Sequence, residues 1–284
     1  MQVHAVNVAS FHPPFGAPAR HVDGRGFLST RALIVALGDR VVLVDSGFGP
    51  EDIASARRRL GLPFLALARP RLDPAETMVA RLAARGLRPD DVTDILITHL
   101  DLDHAGGLAS FPRARLHVHL AEMEVARTPR RPSHRLRYVP AHFDHDPVWA
   151  PFRFGEDRWH GFPVTALDGV PPTLRMVALP GHAAGHCGVL VERGDGDLLL
   201  HAGDAFMEVQ EVTTPGHRPS VATRVHHATF DDDPSRAAAT RAELLALLTG
   251  SPPPGLTVVN AHDPHVRRPD GSVELEDGLD AAPP

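Results

Sequence analysis

Lysine is absent from the 284-residue chain, so each of the 29 basic residues is arginine and a lysine Schiff base is excluded as a catalytic device. A single cysteine, Cys187, rules out an internal disulfide and a cysteine-built zinc site, so any metal must be held by His, Asp or Glu. Long apolar runs are missing too. No segment approaches bilayer-spanning length, and the N-terminal MQVHAVNVAS lacks the basic start and apolar stretch of a secretion signal. A soluble, cytoplasmic protein is expected. The formal charge of −6 and pI near 6.3 argue against nucleic acid or an anionic membrane as main partner and for a small-molecule substrate. Nothing in the sequence sets the oligomeric state.

What is present is histidine, 19 residues of it, and enough apolar content (43%) for a full core. RALIVALGDRVVLVD, residues 31–45, reads as a hairpin turning at Gly38-Asp39. A short helix is expected over 51–60 and a second over DPAETMVARLAARG, where Asp73 caps, Pro74 suits the first turn and Gly86 stops. DILIT and RLHVH, then LRMVAL, GVLVE, DLLLHA and residues 256–260, read as strands, and DDPSRAAATRAELLALLTG as a capped helix. One domain over 1–265 is expected. Within it, 127–172 reads as an irregular, aromatic and Arg-rich insertion lining or capping the site, and 266–284 as a polar, frayed tail.

Four apolar strands are each followed at once by His or Asp: ILITHLDLDH, MVALPGHAAGH, LLLHAGD and TVVNAHD. Ends of such strands lie side by side in layered α/β folds, which brings His99, Asp101, Asp103, His104, His182, Asp204 and His262 together from four segments. Clustered acids and imidazoles desolvate and repel one another unless a cation neutralises them, so the constellation points to metal.

THLDLDHAGG, PGHAAGH, HAGD and the late AHD resemble the successive metal motifs of the metallo-β-lactamase superfamily, whose usual first motif is HxHxDH. VVLVDSGFG resembles its early strand ending in an aspartate. The resemblance runs from about residue 28 to 265 and is nearest in pattern to the N-acyl-homoserine lactonase group. It implies an α/β fold, an αββα sandwich with a two-metal site along one edge. Carried over motif by motif, His99, Asp101 and His182 form the first metal site, Asp103, His104 and His262 the second, and Asp204 bridges them. Asp45 lies beneath as an orienting group, and His186 takes a supporting or substrate-facing role. The implied activity is metal-dependent hydrolysis of a small ester, lactone or thioester by a metal-bridging water or hydroxide, with Asp103 and Asp204 holding that water and Asp103 accepting its proton.

Two positions depart from the pattern. Lactonases of that group carry a tyrosine three residues after the bridging aspartate, where this chain has Met207; its only tyrosine is Tyr138. Asp101 replaces the middle histidine. Two divalent ions, zinc first, are the expected cofactors, and the carboxylate shifts preference towards iron or manganese. It also adds a negative charge, which leads to the expectation of weaker water polarisation and weaker anion binding. Arg135, Arg137 and Arg153 are candidates for recognising a substrate carboxylate or phosphate. Trp149, Phe152, Trp159, His142 and His145 are expected to pack, with lining of a pocket as the alternative; His117, His119 and Cys187 are expected to pack. His226 and His227 are expected to face the site from before the last helix. An iron-dependent oxidoreductase of the same fold and a non-catalytic metal-binding protein stand as alternatives.

Overall fold

The computed structural model describes residues 1–13, 28–194 and 196–275. Two sheets form the middle of the molecule. The first runs in sequence order: β1 (Gln2–Phe11), β2 (Leu28–Leu37), β3 (Arg40–Val44), β4 (Val92–Leu96), β5 (Arg115–His119) and β6 (Val148–Phe152). The second holds β7 (Arg158–Trp159), β8 (Phe162–Ala166), β9 (Leu174–Ala178), β10 (Cys187–Glu192), β11 (Leu198–His201), β12 (Leu256–Val259), β13 (His265–Arg267) and β14 (Val273–Leu275), again neighbour by neighbour. β3 to β6 are mutually parallel, as are β11 and β12, while the other pairs are antiparallel.

The β-branched and leucine-rich strands bury both faces, which is why they read as continuous apolar runs. Between the sheets lie Leu33, Val35, Val42, Val44, Leu96, Met176, Val189, Val191 and Val259. The outer face of the first sheet packs Ile34, Leu43, Ile95 and Leu116 against Met78 and Leu82 of the helix Met78–Ala83 and against Met123. The outer face of the second packs Leu190, Leu200 and Val258 against Leu244 and Leu248 of the helix Pro234–Thr249, whose N-cap is Asp233. The layers are therefore helix, sheet, sheet, helix. No helix among the described residues is long and apolar enough to cross a membrane.

The structure departs from the sequence reading at the edges. β1 carries the N-terminal decapeptide, and the region after His265 is not frayed up to residue 275. β13 and β14 extend the second sheet there, Val266 enters the core, and buried Arg267 donates to the Leu256 carbonyl. Residues 276–284 lie outside the described ones. Segment 127–172 is likewise more regular than its composition suggests, with a helix at Pro132–Arg137 and three short strands, β6 to β8. Edge strands take much of their register and burial from a neighbour, so their own sequence signal is weak.

Cys187 opens β10 with its thiol fully buried and donating to the Gly185 carbonyl, and burial pushes its pKa well up. We expect no reaction with a thiol-specific disulfide dye in the native protein and one equivalent in denaturant. Stoichiometric native labelling would contradict this packing.

Candidate metal centre

Five strand ends meet along one edge of the sandwich. β3 is followed by Asp45, β4 by His99, β9 by His182, β11 by Asp204 and β12 by His262. Two backbone bonds stitch the sheets together there, Cys187 N–H to Thr98 O (3.0 Å) and Arg31 N–H to Ala261 O (2.8 Å), while Ala261 N–H to Gly203 O (2.9 Å) ties the ends of β11 and β12. Two glycines permit the close approach. A Cβ on Gly107 would sit 2.6 Å from the Ser46 carbonyl oxygen. Gly203 has φ +54°, and a Cβ there would meet His186 Nε2 at 2.7 Å.

All seven residues singled out by the strand-end pattern come together in three overlapping groups, the donor atoms of each lying within 4.8 Å of one another: His99, Asp101 and His182; Asp103, His104 and His262; and His99, His104 and Asp204. Asp101 Oδ2 is 3.5 Å from His99 Nε2 and 3.4 Å from His182 Nε2, and Asp204 Oδ2 is 3.7 and 3.6 Å from the same two nitrogens. A tetrahedral ion with bonds of about 2.0–2.2 Å separates its ligands by about 3.3–3.6 Å. Asp101, although shorter than a histidine, thus stands at ligand spacing from both imidazoles. On the other side, His104 Nε2 is 3.4 Å from Asp204 Oδ1 and 3.7 Å from Asp103 Oδ2, and His262 Nε2 is 3.8 Å from Asp103 Oδ2.

The imidazoles are oriented from behind. His104 Nδ1 bonds Asp45 Oδ2 (2.9 Å), His99 Nδ1 bonds Thr98 Oγ1 (3.0 Å), His182 Nδ1 faces Asp231 Oδ1 (3.3 Å) and His262 Nδ1 donates to Ser29 O (2.6 Å). With Nδ1 committed, each Nε2 lone pair points inward. Nε2 of His99, His104 and His182 and Oδ1 of Asp204 are buried without a hydrogen-bond partner. Buried polar atoms are normally satisfied, so four orphans converging on one space fit a cation. Electrostatics agree. Burial opposes a charge on His104, yet Asp204, Asp103 and Asp45 push its pKa well above the usual imidazole range. Burial and Arg137 lower His182, but the nearby carboxylates of Asp101 and Asp231 override them and push it up to about 9.

Several supports carried little sequence signal. Glu122, fully buried at the start of the helix Leu120–Arg127, accepts from Leu100 N–H (3.0 Å) and Gly185 N–H (2.9 Å), tying the two histidine loops together. His186 donates from Nδ1 to Leu179 O (2.7 Å) and accepts Asp204 N–H at Nε2 (2.9 Å). Burial, then His99 and His182, keep it neutral, so it positions Asp204. His226 sits ahead of the helix Pro234–Thr249, inside a helix of its own at Val221–Phe230, its ring parallel to that of His182 at 6.0 Å and its Nε2 buried without a partner. Its neighbour His227 bonds Glu211 and faces Asp231.

Other candidates pack. His117 bonds Asp94 (2.8 Å), His119 stacks on Phe154, and His142 bonds Asp52 (2.9 Å). Trp149, Phe152 and Trp159 join the hydrophobic clusters. Tyr138 is buried in the outer core, and Met207, three residues after Asp204, is buried too. Arg135 and Arg153 are exposed. Arg137, expected to recognise substrate, is instead buried against Asp101, with Nε 2.8 and 3.0 Å from its two oxygens. A buried carboxylate beside it takes the guanidinium first.

A model of the metallo-beta-lactamase superfamily matches residues 25–262. The chain is 38% identical over 180 residues to a "Probable metallo-hydrolase" of Mycobacterium tuberculosis, covering 63% of this chain and 57% of that protein. It is 31% identical over 160 residues to the N-acyl homoserine lactonase AttM of Agrobacterium fabrum, covering 55% and 58%. The matched region thus spans less than two thirds of these relatives. Among solved structures, a "probable metal-dependent hydrolase" from Staphylococcus aureus superposes with TM-score 0.68 at 19% identity, covering 98% of each chain. An N-acyl homoserine lactone hydrolase with N-hexanoyl-L-homoserine at its catalytic metal centre gives 0.67 at 18%, covering 92% of each. At such identities the shared feature is the fold.

Proposed function

The chain belongs to the metallo-beta-lactamase superfamily, and from that premise we propose that it is a metal-dependent hydrolase of small esters, lactones or thioesters. The observation that carries this reading is the set of orphaned inward-facing donors, His99, His104 and His182 Nε2 with Asp204 Oδ1, ringed by Asp101, Asp103 and His262. In this reading His99, Asp101 and His182 hold one divalent ion, Asp103, His104 and His262 the other, and Asp204 bridges, with zinc as the first metal to test. When bound, the ions supply an activated water and Lewis-acid polarisation of the carbonyl.

The chain's own groups do the rest. Asp103, whose Oδ2 accepts from Thr30 Oγ1 at 2.8 Å, is held in place to accept the proton of the attacking water. His186 fixes the Asp204 backbone. The missing tyrosine leaves the substrate carbonyl without its usual helper, and His226, beside His182 with an unpartnered buried Nε2, is a candidate among the described residues to take that place. Burial, followed by His182 and His262, pushes its pKa down to about 3, so it acts as a neutral hydrogen-bonding imidazole. We expect His226→Phe to lower kcat/KM by about tenfold or more with two metals still bound, as loss of one transition-state hydrogen bond requires; unchanged kinetics would remove His226 from the reaction.

The names of the relatives make N-acyl lactones the first substrates to try. A panel of lactones, thioesters and phosphoesters with zinc-, manganese- and iron-loaded protein tests the proposal. Ester or lactone turnover that disappears on chelation is expected. Iron-dependent oxygen uptake without hydrolysis would replace the reading with an oxidative one.

A further inference from the structure

Arg137 ends the helix Pro132–Arg137 and is 2% exposed. Its Nε bridges both oxygens of Asp101, and its NH1 donates to His182 O (3.0 Å), Phe230 O (2.8 Å) and Asp232 Oδ1 (3.3 Å). It therefore grips a side chain and the backbone of the same cluster, from 36 residues beyond Asp101. A guanidinium does not lose its proton, and it is not buried without a fixed anionic partner. The Asp101 carboxylate, 2.8 and 3.0 Å from the guanidinium Nε, is that partner, so the two groups form a buried ion pair.

A histidine at position 101 would be neutral. The aspartate subtracts one unit of charge, and Arg137, directly behind it, adds one; Asp232, 3.3 Å from Arg137 NH1, is offset by Arg131 at 4.0 Å. We propose that Arg137 is a positioning residue that fixes Asp101 and returns the positive charge the carboxylate removes, so that the site attracts anions as the histidine-bearing pattern does. This reverses the expectation of weak anion binding drawn from Asp101 alone, and it rests on the reading of the cluster as a two-metal centre.

A charge ladder tests it. Relative to the natural protein, Arg137→Met lowers the local charge by one, Asp101→His raises it by one, and the double variant restores it. Each is zinc-loaded, its metal content measured, and titrated with inorganic phosphate by calorimetry. Phosphate binding is expected to weaken about tenfold in Arg137→Met, tighten about tenfold in Asp101→His and return to within about threefold in the double variant. A purely structural Arg137 would not be rescued by a second change at 101. Equal phosphate affinity across variants that each hold two zinc ions would overturn the proposal, while absence of zinc from the natural protein would instead overturn the metal-centre reading. If Arg137→Met fails to fold, Arg137→Gln, which keeps a donor towards Asp101 without the charge, decides in its place: phosphate affinity equal to that of the natural protein refutes the proposal.

Discussion

Asp204→Ala is expected to reduce hydrolysis on the order of a thousandfold or more and to lower the metal content below two equivalents. One carboxylate serves both halves of the site: Oδ1 lies 3.4 Å from His104 Nε2, while Oδ2 lies 3.7, 3.6 and 2.9 Å from His99, His182 and His262. Among the described residues no other side chain lies this close to all four imidazoles. In the two-metal reading its removal would take a ligand from each ion and the shared anion that lets two like charges sit close together. Asp204→Asn separates charge from shape, because the amide fills the same space and keeps the backbone bond to His186. Metal analysis and lactone turnover on both variants check this; two ions and natural turnover in Asp204→Asn would refute a bridging role.

The second large effect is expected at a residue that reaches no donor space. Asp45 is fully buried and accepts from Thr98 N–H (2.8 Å), Thr98 Oγ1 (2.8 Å) and His104 Nδ1 (2.9 Å). Its φ of +62° is a left-handed conformation unusual for a residue with a Cβ, held only because these bonds over-determine it. Asp45→Ala strands three buried donors at once. We expect a loss of about 3 kcal/mol or more, read as a fall of roughly 6–12 °C in the unfolding midpoint. Metal affinity should also fall about ten- to a hundredfold, since His104 loses the group that fixes its tautomer. Asp45→Asn should recover part of the stability but less of the affinity, because an amide accepts two of the bonds and meets the third with a donor. Equal metal affinity in all three proteins would show that His104 needs no orientation.

The side chains that face the metal space were readable because their signal is local: an apolar strand, then His or Asp within a few residues. The strands themselves stood out for the same reason, as did the capped helix at Pro234–Thr249. The supports were not readable. Glu122, Arg137 and Asp231 sit in or beside helices where a charged residue ordinarily faces solvent, and each meets its partner across 22 to 49 residues of sequence. Only the fold brings them underneath. Arg137 has the largest consequence, because the electrostatic meaning of Asp101 depends on it. A carboxylate counted alone makes the centre one charge poorer, and a carboxylate counted with its buried guanidinium does not.

The account stands on seven side chains holding two divalent ions. Calorimetric titration of chelator-stripped protein with zinc, with bound metal then counted by mass spectrometry, tests that most directly. The expected result is two equivalents taken up, falling to one or fewer in Asp204→Ala. Uptake of no metal by the natural protein would contradict it.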